Sequence, residues 1–188
     1  VGVMNDKSDL NLIQSIKSTL DFQFKICMQI LEMHLDKLED EEYLWKPTSK
    51  GLHIVNKNNK WSVDWPETEE YTIGPPNIAW ITWHIRFWWS MVLNNSFGAG
   101  TLTREDVKGL GSSKDTIENI KYLSDKWIEK INSLSDDDLI SSKLTKWPFE
   151  DRPFHELVAW LNLELMKNAS EIGYCRFLYG VKDKINYI

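Results

Sequence analysis

Cysteine is almost missing from this 188-residue chain: Cys27 and Cys175 are its two, far apart and in no metal-ligand spacing. That scarcity excludes a disulfide-stapled scaffold and the paired thiols of zinc or redox sites, and casts both as small buried hydrophobes. An excess of positive charge is lacking as well, since 22 Lys and Arg face 28 Asp and Glu for a net charge of −6. An acidic surface repels phosphate backbones and anionic lipids, so neither nucleic acid nor membrane is expected as a partner. No apolar run approaches the roughly 18 residues that span a bilayer, and nothing at the start reads as a signal peptide. Repeats, low-complexity tracts, a Gly-rich phosphate loop, a nucleophile elbow and an HExxH pair are all absent from the sequence. The expectation is one cytoplasmic domain over residues 1–188, of a size that supports a single substantial core. Val1-Gly2-Val3 ahead of Met4 reads as an added leader, with Met4 the native start.

Tryptophan is abundant instead, at ten residues. So many large rings imply either a wide core stitched by aromatics or an aromatic-lined pocket. Apolar spacing then divides the chain. Ile13, Ile16, Leu20, Phe24, Cys27, Leu31, His34 and Leu38 step by three and four, predicting a helix over residues 9–40. Residues 41–76 are irregular. Within them Leu52-His53-Ile54-Val55 and Trp61-Ser62-Val63-Asp64-Trp65 flank the polar turn Asn56-Lys57-Asn58-Asn59, the pattern of a β-hairpin. Pro75-Pro76-Asn77 opens a second helix that runs to about Asn95, with Gly98 and Gly100 beyond it. Ser112 and Asp115 make a capping pair before a third, which carries Ile117, Ile120, Leu123, Trp127, Ile131 and Leu134. Asp136-Asp137-Asp138 suits a helix start or a solvated loop and lacks the spaced ligands of a calcium loop. A fourth helix extends from Phe154 to Tyr179, with Gly180 placed to stop it. Four long amphipathic helices with a small β-hairpin insertion between helices 1 and 2 predict an all-α four-helix bundle.

Three polar residues stand on faces that should be greasy. His84 lies in the stripe of Trp80, Trp83, Phe87, Trp88 and Met91, while Glu164 and Asn168 interrupt the stripe of Leu157, Leu161, Leu165, Ile172 and Cys175. Glu164 and Asn168 are four residues apart and so share a helix face. A buried carboxylate needs a cation, a donor or water, so Glu164 must find a partner. Two arrangements satisfy the trio. Inward-pointing groups on facing helices can hold a metal, or His84 can bond Glu164 across the bundle with Asn168 completing a polar network. His34 suits a satisfied helix-end histidine, and His53 and His155 have no partner that spacing identifies. Arg86 and Arg176 are candidates for an anion, against the commoner use of a helical Arg in an ion pair.

Several segments, in order along nearly the whole chain, resemble the DinB-like superfamily: Leu38-Glu39-Asp40-Glu41-Glu42-Tyr43-Leu44-Trp45-Lys46-Pro47, Trp61-Ser62-Val63-Asp64-Trp65-Pro66, Ile78-Ala79-Trp80-Ile81-Thr82-Trp83-His84-Ile85, and Leu157 to Leu165 through Glu171-Ile172-Gly173, Arg176 and Leu178-Tyr179. The resemblance implies a four-helix bundle, a homodimer, and a divalent metal, zinc or nickel, held by one histidine of helix 2 and two of helix 4. It also implies transfer of a low-molecular-weight thiol such as mycothiol or bacillithiol, or use of a thiol in maleylpyruvate isomerisation; it implies no contact with DNA. His84 matches the helix 2 ligand, and the two helix 4 positions hold Glu164 and Asn168, so the implied metal ligands are His84, Glu164 and Asn168. Two functions follow as expectations. One is a metal-dependent transferase that activates a small thiol or water. The other is a protein that has lost the metal site and either binds a small molecule in a Trp-lined cavity or serves as a structural dimer.

Overall fold

The computed structural model describes residues 8–68 and 70–184, with side chains from residue 11 onward; the expected leader and Met4 lie outside the described residues. In chain order the elements are α1 (Ser8–Leu35), α2 (Asp40–Leu44), β1 (Ile54–Lys57), β2 (Lys60–Val63), α3 (Ile78–Phe97), α4 (Ser113–Asn132), α5 (Asp136–Ile140) and α6 (Phe154–Gly180). The four long helices form the expected bundle, and the two strands form the expected hairpin between the first and second of them.

Local chemistry sets most of the boundaries. The α1 stripe of Ile13, Leu20, Phe24, Cys27 and Leu31 is buried as its spacing predicts. The helix stops five residues short of the predicted Asp40 because Lys37 takes a left-handed φ of 54°, which a right-handed helix cannot continue through. The chain restarts as α2, whose Tyr43 hydroxyl meets Leu110 O at 2.9 Å and Thr116 Oγ1 at 2.8 Å. In the hairpin Asn58 and Asn59 both have positive φ, the geometry that lets a two-residue turn follow the strand twist, and Ile54 pairs with Val63. At α3 the prolines stand just ahead of the helix, and Asn77 is the cap, its Oδ1 accepting from Trp80 N at 2.9 Å. Ser112 caps α4 through Asp115 N, and Ser135 with Asp138 forms a capping box at α5, so the acidic run is a helix start.

Cross-helix bonds give the directions. Asn162 Nδ2 donates to Leu20 O and Arg176 Nη1 to His34 O, so α1 and α6 run parallel. Cys175 meets Pro76 and Asn168 meets His84, so α3 runs against α6. Arg86 bonds Asn119 while Lys130 lies over Phe97, so α4 runs with α3. Residues 98–112 therefore carry the chain back along α3, pinned midway where Trp83 Nε1 donates to Val107 O at 2.7 Å. The result is an up-down-down-up bundle with one crossover. No helix among the described residues is long and apolar enough to cross a membrane.

Candidate functional site

Trp80, His84 and Trp88 follow one another at four-residue steps on the face of α3 that meets α6. His84 is buried at 8% exposure, its ring stacked on Trp80 with centroids 4.9 Å apart. Trp88 Nε1 donates to His84 Nε2 at 3.0 Å, and His84 Nδ1 lies 3.0 Å from Asn168 Oδ1. An indole nitrogen can only donate, so Nε2 is the lone-pair nitrogen and the imidazole proton sits on Nδ1, donating to Asn168. The Asn168 amide then passes the polarity on, since its Nδ2 donates to Glu171 Oε2 at 3.0 Å. Burial pushes His84 down to about 4, against the opposing effect of the Asn168 bond, so the ring is neutral near pH 7. Burial also raises Glu171, with the Asn168 bond pulling the other way.

Trp88 itself has little freedom. Its ring centroid is 5.0 Å from that of Trp147 and 4.8 Å from that of Trp160, and Phe149 backs Trp160 at 5.5 Å. What space is left between Trp88, Leu161, Glu164, Leu165 and Asn168 is a void of about 10 Å³, room for one water at most.

Of the three residues singled out by pattern, the structure bonds His84 to Asn168 and places Glu164 at the edge of that small void. The carboxylate of Glu164 pairs with Lys167 at 2.5 Å, one turn along α6 and partly exposed. The bond expected between His84 and Glu164 is not the one formed; the amide faces the imidazole, and Glu171 is the carboxylate that closes the network. The sequence names Glu171 only within the family-like segment, and its place three residues beyond Asn168 on one helix face is what makes it a partner. A metal ion at this position would need a free nitrogen of His84 and the Asn168 oxygen, whereas Nε2 accepts from the Trp88 indole and Asn168 Oδ1 accepts from His84 Nδ1. Among the described residues, no group of three or more His, Cys, Asp and Glu is placed to hold a metal ion. The residues present do not fit a metal ion in this arrangement.

The remaining candidates serve the fold. Arg176 forms an ion pair with Glu42 at 2.9 Å and caps the α1 end through His34 O and Asp36 O, while buried Arg86 bonds Asn119 and Lys108 O. Neither is left for an anion. The His34 ring lies so close to α6 that a Cβ on Gly173 would come within 2.5 Å of it. Cys27 and Cys175 are free and buried, and burial pushes the Cys175 thiol up to about 11.

Aromatic rings also line an open space. A cavity of about 570 Å³ lies between β2 and the 98–112 crossover, walled by Trp61, Trp65 and Trp83 with Lys60, Arg104 and Lys108 around them. Trp61 lies against the crossover backbone, where a Cβ on Gly111 would fall 1.9 Å from its ring. Arg104 sits over Trp65 with its guanidinium carbon 4.8 Å from the ring centroid. A second cavity of similar volume lies between α1 and α4, with Leu20, Phe24, Trp127 and Ile131 in its walls.

No curated protein and no solved structure matches the chain. A family-wide sequence profile, that of the DinB superfamily, matches residues 23–172, from within α1 through the hairpin, His84 and the crossover to Glu171 on α6. The chain belongs to the DinB superfamily.

Proposed function

We propose that this chain is a small-molecule-binding member of the superfamily, in which a closed hydrogen-bond network fills the position of the family's metal. The Trp-lined cavity between β2 and the crossover is the ligand site. One observation carries the reading: both ring nitrogens of His84 are engaged, Nε2 accepting from the Trp88 indole and Nδ1 donating to Asn168. Taking Nε2 would leave the half-buried Trp88 indole N–H without its acceptor, at about 1 kcal/mol. Freeing it would also pull Trp88 from between Trp147 and Trp160. The cavity supports the second half of the reading. Its volume of about 570 Å³ is in the range of ligand sites, and it combines apolar rings with a few converging charges.

A metal-dependent transferase acting on a small thiol or water is the second reading, and one feature favours it. Asn168 holds His84 by Nδ1, as the outer partner of a metal-binding histidine does. With His84, Glu164 and Asn168 as ligands of zinc or nickel, however, the Asn168 oxygen would have to serve the imidazole and the ion at once. Either reading is compatible with a homodimer. Phe22 and Met33 on α1, with Leu163, Tyr174 and Phe177 on the adjoining α6, are exposed large apolar side chains that support one.

Elemental analysis of protein purified without a metal-affinity column, repeated after soaking in zinc, nickel or manganese, separates the two readings. The expected result is no stoichiometric metal in any sample. One ion per chain, lost in Glu164→Ala, would make the altered triad a working metal site, overturn the first reading and call for an assay of thiol transfer.

A further inference from the structure

We infer that the Trp-lined cavity takes a planar aromatic anion, its ring held among the indoles and its carboxylate or equivalent group on Arg104. This rests on the reading of the cavity as the ligand site and names what that site selects. The charges around the cavity run against the rest of the molecule. The chain as a whole is −6, yet Lys60, Arg104 and Lys108 meet a single carboxylate here, that of Glu105. Two further carboxylates lie near but do not line the cavity: Asp106 Oδ2 accepts from Thr103 N and Oγ1, both at 2.8 Å, and Asp64 Oδ2 accepts from His53 N at 3.0 Å. A low-lying cluster of cations beside apolar walls focuses an attractive field for an anion.

The rings supply the other half. Trp65 stands edge-on to both Trp83 and Phe87, with centroids 6.0 and 5.7 Å away. It remains 43% exposed, so one edge of the indole is open to a ligand. Arg104 covers part of that ring while its fork pairs with Glu105. The Glu105 carboxylate thus meets the same guanidinium that an incoming carboxylate would use. A flat ligand with an anionic edge stacks against the indoles and exchanges its own carboxylate for that of Glu105. A neutral ring of the same shape has nothing to offer Arg104 and must compete with an intact ion pair.

The test is calorimetric titration of the full chain with 2-naphthoate and, separately, with its neutral counterpart 2-naphthylmethanol, with indole N–H signals followed by NMR. The expected result is saturable binding of 2-naphthoate that moves the Trp61 and Trp65 signals, about tenfold tighter than the alcohol. Arg104→Gln should lose about that factor, while Glu105→Gln should tighten binding, without either variant changing the melting temperature appreciably. Equal binding of acid and alcohol, indifferent to Arg104→Gln, would overturn the anion class and leave the cavity as the ligand site. Failure of both compounds to move any indole signal at millimolar concentration would overturn the ligand-site reading itself. Shifts confined to Trp127, in the cavity between α1 and α4, would place binding elsewhere and overturn the proposal.

Discussion

Two polar sites adjoin α3, and they are built in opposite ways. Around His84 both ring nitrogens are bonded, the rings are packed and about 10 Å³ remains. Around Trp65, a cation sits over an exposed indole beside about 570 Å³ of open cavity. The same residue type does both jobs. Trp88, Trp147 and Trp160 plug the first region, whereas Trp61, Trp65 and Trp83 wall the second. A buried polar group that is fully satisfied fixes structure, while charges left beside an unfilled apolar cavity are available to recognise something. In the proposed function, recognition therefore belongs to the hairpin and crossover and not to the family's metal position.

The largest expected effect comes from the residue that joins the two regions. Trp83 is 1% exposed, stacks on Phe87 at 5.3 Å and ties the crossover through Val107 O. Trp83→Ala should cost about 3–5 kcal/mol in chemical denaturation and should disturb both regions together. If only the cavity responds, the two sites are less connected than this packing implies.

Acid should weaken the closed region next. His84 is held at about 4 when folded, below its ordinary 6.5, so the unfolded chain takes up the proton first as pH falls. Its contribution is whole above pH 6.5 and is lost progressively down to about pH 4, on the order of 3 kcal/mol in all. Glu171 acts with the opposite sign. Its raised folded value makes the native state the better proton binder, so that stability is lost as pH rises through its titration. Denaturation midpoints measured across pH 4–7 should show the His84 slope in the native sequence and lose it in His84→Phe.

Asn168→Leu should come third, at about 1–3 kcal/mol, because it strands His84 Nδ1 and a Glu171 oxygen in the interior. Thermal denaturation at pH 7 reads it directly. Glu164→Ala is expected to do least, under about 1 kcal/mol, since its partner Lys167 lies half in solvent. A loss as large as that of Asn168→Leu would make Glu164 a member of the network after all.

Much of the fold was legible because burial follows periodicity. The buried faces of α1, α4 and α6, the cap at Ser112 and the presence of the hairpin all appear in the residue pattern, although its turn is tighter than the four polar residues suggest, Asn56 and Lys57 belonging to β1. The break at Lys37 does not, because lysine has no special taste for a left-handed backbone and only the docking of Tyr43 on α4 reveals why the chain turns there. Helix directions were equally hidden, since a stripe says which face is buried and not which helix it meets. At the site, His84 and Asn168 announced themselves as polar residues among apolar ones. Trp88 did not, because an indole in a greasy stripe looks like core until the direction of its N–H is known. The Trp-lined cavity joins residues 60–65 to residues 104–109, and no local pattern links a hairpin to a crossover that folds back on it.

The central claim is the state of one imidazole. Long-range proton–nitrogen NMR spectra at pH 7, with His84 assigned by comparison with His84→Gln, report which nitrogen carries the proton and whether either binds an ion. The expected result is the proton on Nδ1, a bare Nε2 accepting from Trp88, and no change in either signal when equimolar zinc is added. A proton on Nε2, or an Nε2 signal that moves to a metal-bound position with zinc, would contradict it.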